Sequence, residues 1–439
     1  MKLKDIISTP CGVRYMADAL DIKSGVARRM LAEQEMMTDA EAISTYYDRL
    51  RIYRDTVAKV SNMIDVKNLQ FRLSGLKDLH TTLLNLEAGR TLDDIELFEV
   101  KHLAMLTAET AKQTAVLQLP ATLPDLEEVV RLLDPEGLRI ATFYVYEAYS
   151  DQLRSLRKAL EKNPTDEQTF CLIQEEEERI RRQLSRNLRP HAGKLRTAQQ
   201  TMADIDIMLA KALQAVRMSL CFPQTGAETT LTEMWNPEVE EALRQKGKTY
   251  RRNSIHFGTE PTILTGSNMG GKTVVLKTVG LCQYLMQFGF GVPAGQAVMV
   301  PREEIYCCMS DGQSVAEGLS SFAAEMRAID SVIRAARSGR NILALIDEPA
   351  RTTNPAEGTA LVSALTEVLK PTGISVLIVT HYTIDAHACP CLRVRGMENG
   401  EMNYELVPAK EGEVPHEALR IAEQLGIDKE WIEKANKQI

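Results

Sequence analysis

The spacing of apolar residues divides the chain into two halves of different character. In the first half apolar residues recur at intervals of three and four positions, as at Leu76, Leu79, Leu83 and Leu86. This spacing places apolar side chains on one face of a helix. Strand-type runs of aromatic and β-branched residues are nearly absent there. The pattern therefore predicts long helices over residues 1–222.

The second half alternates short apolar runs with helical stretches. The runs at 262–264, 342–346 and 376–379 are apolar almost throughout and are bounded by polar turns. Strands that are buried on both faces of a parallel sheet have this composition. Because helical segments separate the runs, the pattern predicts an α/β layer with a largely parallel sheet. The change in composition around 222–226 predicts a domain boundary.

Composition narrows the class of protein. A chain of 439 residues, 44% hydrophobic and 26% charged, predicts two or three globular domains. The sequence contains no run of 18 apolar residues, and its first residues do not resemble a secretory signal, so we expect a cytoplasmic protein without a membrane partner. The eight cysteines lack zinc-finger spacing and are expected to be reduced thiols. A net charge of −8 argues against a protein whose whole surface is basic and binds nucleic acid, but it permits a local basic patch.

One glycine-rich segment has the pattern of a phosphate-binding loop. Residues 266–273 match G-x-x-x-x-G-K-[ST], with a predicted strand before them and a predicted helix at 274–287 after them. In such a loop backbone N–H groups surround the phosphates, Lys272 reaches the β- and γ-phosphates, and the Thr273 hydroxyl ligates Mg²⁺. We therefore predict ATP and Mg²⁺ as ligands. The predicted phosphate-binding residues are Gly266, Ser267, Asn268, Met269, Gly270, Gly271, Lys272 and Thr273.

Two further strand ends carry polar residues suited to ATP hydrolysis. Asp347 and Glu348 follow one strand, where Asp347 would hold Mg²⁺ and Glu348 would polarise the attacking water. His381 follows another strand and would donate a hydrogen bond toward the γ-phosphate. Taken alone, an Asp–Glu pair after an apolar strand is as typical of a solvated strand end as of a Walker B site, and a single histidine is usually structural. The loop at 266–273 favours the functional interpretation, so the predicted catalytic residues are Glu348, Lys272 and His381.

These motifs resemble those of the MutS family. The family pattern T-G-P-N-M-x-G-K-[ST] is narrower than a general phosphate loop, and residues 265–273 resemble it with Ser267 in place of proline. The other segments that carry the resemblance are Gln287–Phe288–Gly289, Val292–Pro293–Ala294, Ser310–Asp311, Ser320–Ser321–Phe322–Ala323–Ala324–Glu325–Met326, Thr380–His381–Tyr382 and, more weakly, 9–14 and 204–210.

The resemblance implies a multidomain fold. It implies an all-α core and lever domain at 1–222, with a clamp-like insertion at about 125–190. An α/β P-loop NTPase domain of the ABC type would follow at 223–439, ending in a helical dimerisation tail at about 413–439. On this resemblance, we expect no counterpart in the sequence to the family's N-terminal mismatch-reading domain and its connector.

The resemblance also implies a nucleotide site shared within a dimer. Tyr250 and Asn253 would lie at the adenine, with the Tyr250 ring stacked on the base; the alternative for Tyr250 is a half-buried strand aromatic. Gly318 and Ser320 would act on the nucleotide of the other protomer. The partner would be a second copy or a related MutS-like subunit.

One loop departs from the family pattern. The sequence D-E-P-A-R-T-T-N-P at 347–355 replaces D-E-x-G-R-G-T, and it keeps Arg351 and Thr353 but loses both glycines. Because the loop crosses the dimer interface in the family, its altered residues bear on coupling between the two sites.

Two functions fit the sequence. The first is a dimeric, ATP-switched clamp on duplex or branched DNA, in mismatch repair or a recombination-type process. The alternative is an ATP-dependent reactivating chaperone whose protein client is a cobalamin-dependent aminomutase. The segments 132–137, 142–150 and 349–355 resemble such chains. A basic stretch near the clamp fits DNA or a solvated helix face: Arg179, Arg181, Arg182, Arg186, Arg189, Lys194 and Arg196.

Overall fold

The computed structural model describes most of the chain. The described residues are 1–140, 142–266, 271–309, 318–382, 384, 389–398, 401–409, 431 and 434, without the side chains of 318–321, 397–398 and 401–402. The chain divides into two compact units. The helical unit comprises Asp21–Gln34 and Arg49–Val216, and the α/β unit comprises Met1–Leu20, Glu35–Asp48 and Arg217–Ile439. The predicted domain bounds stay a prediction; the segments 1–20 and 35–48 group with the α/β unit.

Fifteen helices are present in the described part of the chain. They are α1 Leu3–Ile6, α2 Val13–Asp18, α3 Gly25–Ala32, α4 Ala40–Val57, α5 Met63–Ser74, α6 His80–Glu87, α7 Asp94–Val116, α8 Glu127–Leu133, α9 Asp151–Lys162, α10 Glu167–Leu188, α11 Ala192–Met218, α12 Pro237–Gln245, α13 Lys272–Gln287, α14 Gly318–Arg337 and α15 Pro355–Leu369. The predicted helical first half is confirmed. Among the described residues, no helix has the length and apolar character needed to cross a membrane.

The helical unit shows how local sequence sets its helices. The carboxylate of Asp93 accepts from the Glu96 N–H at 2.8 Å, and the Glu96 carboxylate accepts from the Asp93 N–H at 3.0 Å. This reciprocal capping box begins α7. Leu83 and Leu86 lie on the buried face of α6, whereas Leu79 precedes that helix although it is buried as well. The spacing of three and four residues therefore identified buried positions correctly. The helix itself is shorter than the segment 76–86 over which the spacing runs.

A buried ion pair fixes the segment between α8 and α9. The side chains of Lys101 and Asp134 are each 1% exposed, and Lys101 Nζ lies 3.1 Å from Asp134 Oδ1. Lys101 also donates to the Thr142 carbonyl and to the Tyr146 hydroxyl, both at 3.1 Å. Burial alone would raise the pKa of Asp134, but the backbone N–H of Arg139 and the charge and hydrogen bond of Lys101 lower it. Asp134 is therefore a stably ionised anchor for this segment.

The α/β unit contains two sheets. The strands are β1 Gln224–Thr225, β2 Thr229–Met234, β3 Asn253–Phe257, β4 Pro261–Thr265, β5 Gln296–Met299, β6 Glu304–Cys308, β7 Ile342–Asp347, β8 Ser375–Val379, β9 Cys391–Glu398 and β10 Glu401–Pro408. The larger sheet has the order β10-β9-β4-β8-β7-β6, and the smaller has the order β1-β5-β2-β3. All pairs of the larger sheet are parallel except β9 with β10. The three predicted strands are confirmed as β4, β7 and β8.

Helix α13 lies close against the larger sheet because one of its residues has no side chain. A Cβ added at Gly280 would lie 2.8 Å from Cys11 Sγ and 2.9 Å from a methyl carbon of Leu345 in β7. These distances are too short for any side chain to fit without displacing its neighbours. Gly280 thereby sets the distance between the sheet and the helix that begins at the phosphate loop.

Candidate nucleotide site

Three polar strand ends meet at one edge of the larger sheet. Strand β8 lies between β4 and β7, with Leu264 and Asp347 both paired to Val379. The parallel strands therefore end at the same level. Beyond this level the chain continues into Gly266, Glu348 and Thr380. Ligands of open α/β sheets bind at this carboxyl edge.

The phosphate loop is bounded by two glycines in the left-handed region. Gly266 follows β4 with φ 132°, and Gly271 precedes α13 with φ 72°. Lys272, the first residue of α13, donates from Nζ to the Gly266 carbonyl at 2.6 Å. This bond ties the end of the loop to its beginning, and the helix N-terminus favours an anion there. The predicted residues Ser267, Asn268, Met269 and Gly270 lie outside the described part of the chain.

Thr273 and Asp347 form an oxygen-rich pair beside Lys272. Thr273 Oγ1 donates to the Asp347 carboxylate, 3.0 Å from one oxygen and 3.3 Å from the other. Burial raises the pKa of Asp347, and the nearby negative charge of Glu348 raises it further. The hydrogen bond from Thr273 and the positive charges of Lys277 and Lys272 lower it. A hydroxyl and a carboxylate are the hard donors that Mg²⁺ takes from a protein when phosphates and water supply the rest. The pair therefore fits the ion that the fold implies.

Glu348 and His381 lie at the two neighbouring strand ends. Glu348 is held by its N–H, which donates to the Val379 carbonyl at 2.9 Å, and its carboxylate lies 3.2 Å from Arg351. His381 is exposed, and its ring lies 4.5 Å from that of Tyr382. The register thus brings Lys272, Thr273 and the carboxylates of β7 to one edge, with His381 on the next strand end.

The three remaining predicted residues lie elsewhere in the α/β unit. The Tyr250 hydroxyl accepts from the Asn236 N–H at 3.2 Å, and burial raises the pKa of Tyr250. Asn253 begins β3, and its Oδ1 is buried without a hydrogen-bond partner among the described residues. Ser320 lies in the first turn of α14, and its side chain is outside the described part.

Three residues at the site were missed by the sequence-based prediction. Lys277 lies one helical turn beyond Thr273 and acts on the charge of Asp347, so its spacing of four was an available signal. Glu325 accepts from the Ala350 N–H at 2.8 Å. The ring of Tyr404 in β10 packs against Gly271: a Cβ added to Gly271 would lie 3.2 Å from a ring carbon of Tyr404. Glu325 lies in the motif segment 320–326, but no local pattern pairs it with Ala350, and none marks Tyr404, because these partners are distant in sequence.

The predicted basic stretch is partly neutralised by carboxylates of the helical unit. Arg179 pairs with Glu176 at 2.6 Å, and Arg196 pairs with Glu87 at 2.7 Å. Arg181 and Arg182 are paired as well, with Asp94 and with Glu178. For these four residues the solvated helix face is the better interpretation. Three cations are exposed and form no ion pair within the described residues: Arg186, Arg189 and Lys194.

Comparison with known proteins agrees with the geometry. Residues 262–413 match the family model described as MutS domain V. The chain is 28% identical over 280 residues to the Endonuclease MutS2 of Caldanaerobacter subterraneus, an alignment that covers 60% of this chain and 33% of that protein. It is 32% identical over 275 residues to the Endonuclease MutS2 of Thermus thermophilus, covering 60% and 35%. The chain thus matches about a third of the length of these curated relatives.

Proposed function

We propose, from the premise that this chain is a member of the MutS family, that it is a Mg²⁺-dependent ATPase whose nucleotide cycle switches a dimeric clamp on DNA. Proteins of this family are ATPases that use ATP with Mg²⁺. The observation that carries the proposal is the Thr273 hydroxyl 3.0 Å from the Asp347 carboxylate, beside Lys272 at the start of α13. The relatives do not favour the alternative of an aminomutase reactivase.

Each residue of the site has a role that its position supports. Lys272 would leave the Gly266 carbonyl and donate to the β- and γ-phosphates, while the backbone of the loop holds the rest of the phosphate chain. Thr273 and Asp347 would hold Mg²⁺, which when bound neutralises phosphate charge. Glu348 would accept a hydrogen bond from the attacking water and orient it. His381 would donate to the γ-phosphate from the neighbouring strand end.

Base recognition would come from the smaller sheet. The Oδ1 of Asn253, which has no hydrogen-bond partner among the described residues, is an acceptor that suits an exocyclic amino group of adenine. The Tyr250 hydroxyl is hydrogen-bonded to the backbone of Asn236, so its ring and not its hydroxyl would contact the base.

Nucleotide binding is tested with Lys272→Ala and the exposed control Lys248→Ala. Because Lys272 is proposed to bind two phosphates, its loss should abolish binding of a fluorescent ATP analogue in a titration. Lys248 is exposed in the same unit, so its variant should bind as wild type does. Binding of wild-type strength by Lys272→Ala would refute the assignment of the phosphate loop.

DNA contact is assigned to the three unpaired cations Arg186, Arg189 and Lys194. Phosphate contacts release counterions, so affinity falls with salt by about 0.9 in the log–log slope for each contact. Replacing all three with alanine should lower that slope by up to about 3 in a fluorescence anisotropy titration of duplex and branched DNA. The ion-paired Arg179→Ala serves as the control. The titration is run with a non-hydrolysable ATP analogue. If wild type does not bind at low salt while its ATPase is intact, the client is a protein.

Sharing of the site between protomers is tested by mixing two variants. Ser320→Ala removes the residue proposed to act on the partner's nucleotide, and Lys272→Ala removes binding in the protomer's own site. A mixed dimer then retains one nucleotide-binding site, which faces Ser320 of the Lys272→Ala protomer. Complementation of turnover in the mixture is the expected result. Activities that only add would rule out a composite site.

A further inference from the structure

The chain makes a strained turn directly after β7. Glu348 has φ 47° and Ala350 has φ 61°, both in the left-handed region that glycine takes easily and other residues rarely take. Ala350 occupies the position of the first glycine in the family pattern D-E-x-G-R-G-T, which residues 347–353 resemble. Pro349 and Ala350 are buried. Such a conformation persists only where the surrounding structure holds it in place.

Three hydrogen bonds from different elements hold this turn. The Glu348 N–H donates to the Val379 carbonyl of β8 at 2.9 Å. Glu325 of α14 accepts from the Ala350 N–H through Oε1 at 2.8 Å, and the Tyr382 hydroxyl donates to the Ala350 carbonyl at 2.8 Å. Because Ala350 is 0% exposed, water cannot replace either partner. The Ala350 N–H therefore depends on the distant side chain of Glu325. The Ala350 carbonyl accepts from Tyr382 and also from the Thr353 N–H at 3.2 Å.

We propose that Glu325 is a positioning residue for Glu348 and acts through the backbone of Ala350. The inference rests on the proposed ATPase function, in which Glu348 orients the attacking water. Glu348 and Ala350 are separated only by a buried proline, so a release of Ala350 shifts the backbone that carries the Glu348 carboxylate. Tyr382 supports the same residue through its carbonyl. It is further fixed by Gly358, where a Cβ would lie 2.3 Å from the Tyr382 hydroxyl.

The position of Glu325 on its helix extends its role. Helix α14 begins at Gly318, so Glu325 lies seven residues or about 10 Å along it. The first turn of α14 is the part proposed to act on the partner's nucleotide. Glu325 therefore joins that helix to the hydrolytic residue of its own protomer, and a shift of α14 changes the hold on Ala350.

The test compares Glu325→Ala, Glu325→Gln and Tyr382→Phe in the full chain. Glutamine keeps a carbonyl oxygen that accepts from the Ala350 N–H, whereas alanine leaves that N–H buried without a partner. Asp330→Ala is the matched control: Asp330 lies on the same helix, is exposed, and pairs with Arg334 at 2.8 Å. For each variant, the dissociation constant of a fluorescent ATP analogue, kcat for ATP and the unfolding temperature are measured.

We expect Glu325→Ala to lower kcat by about 10- to 100-fold, because displacements of about 1 Å have effects of that size. Its nucleotide dissociation constant should equal that of wild type, and Glu325→Gln should recover most of kcat. Tyr382→Phe should lower kcat with binding unchanged, and Asp330→Ala should match wild type. Normal kcat in Glu325→Ala, or equal impairment in Glu325→Gln, would overturn the positioning role alone. If the wild-type chain hydrolyses no ATP, the proposed function fails and the inference with it.

Discussion

Replacing Lys101 with methionine should destabilise the helical unit by about 3 kcal/mol. Methionine fills nearly the same space, so the main loss is the cation that faces the buried Asp134 carboxylate at 3.1 Å. Removing one partner of a buried pair costs about 3–5 kcal/mol. Asp134 keeps the Arg139 N–H at 2.7 Å on its other oxygen, which favours the lower end of that range. A loss of this size is large beside a total stability of about 5–15 kcal/mol.

The double variant Lys101→Met with Asp134→Asn separates the charge from the packing. Asparagine is neutral and still accepts from the Arg139 N–H. The Thr142 carbonyl also keeps the hydrogen bond that the Tyr146 hydroxyl already donates to it at 3.4 Å. The double variant should therefore cost only about 1–2 kcal/mol, less than Lys101→Met alone.

The assay follows urea unfolding with two probes, because the two compact units need not unfold together. Far-UV circular dichroism reports the helices of both units, with the larger share from the helical unit. Both tryptophans, Trp235 and Trp431, belong to the α/β unit, so their fluorescence reports the other transition and should not shift. The exposed Lys67→Met is the control. A cost below about 1 kcal/mol for Lys101→Met, or a double variant less stable than that single variant, would refute the reasoning.

Three further outcomes are expected. Thr273→Ser keeps the hydroxyl and should hydrolyse ATP, whereas Thr273→Ala should lose about tenfold or more in apparent Mg²⁺ affinity in a metal titration. Equal Mg²⁺ affinities of the two variants would show that the hydroxyl does not bind the metal. Gly280→Ala should destabilise the α/β unit by about 1–3 kcal/mol through overpacking. Gly193→Ala is the control, because a Cβ added there would meet no atom within 4 Å. Equal shifts of the melting temperature in the two variants would contradict this prediction. Hydrogen bonds from Arg179 and then Ser150 lower the pKa of Glu176 to about 2. The stability difference between wild type and Glu176→Gln should therefore be full above about pH 4.3 and vanish as pH falls toward 2; a pH-independent difference would exclude the carboxylate.

The parts of the site that could be predicted from sequence are those whose residues lie together in short sequence motifs. The glycines at 266 and 271 and the Lys272–Thr273 pair lie within one segment, and continuous apolar runs identify β4, β7 and β8 without knowledge of their neighbours. The resemblance to the MutS family followed from the same segments, and residues 262–413 match the model of MutS domain V. Parallel pairing then brings the strand ends together, because the carboxyl ends of parallel strands lie at one edge.

Contacts between distant segments were not predictable in this way. Glu325 and Ala350 are separated by 25 residues, and Lys101 and Asp134 by 33. Neither pair has a spacing rule, because tertiary packing alone brings the partners together. The loss of glycine at 350 illustrates the limit: the sequence shows the substitution, whereas the structure shows that Glu325 and Tyr382 hold alanine in the conformation glycine would take.

The central claim is that this edge of the sheet hydrolyses ATP, and the comparison of wild type with Glu348→Gln tests it most directly. Turnover with Mg²⁺ and binding of a fluorescent ATP analogue are measured side by side, with the exposed Glu367→Gln of α15 as control. Our account predicts that Glu348→Gln binds nucleotide as wild type does but no longer turns it over, while Glu367→Gln does both. Normal turnover by Glu348→Gln, or none by wild type, would contradict it.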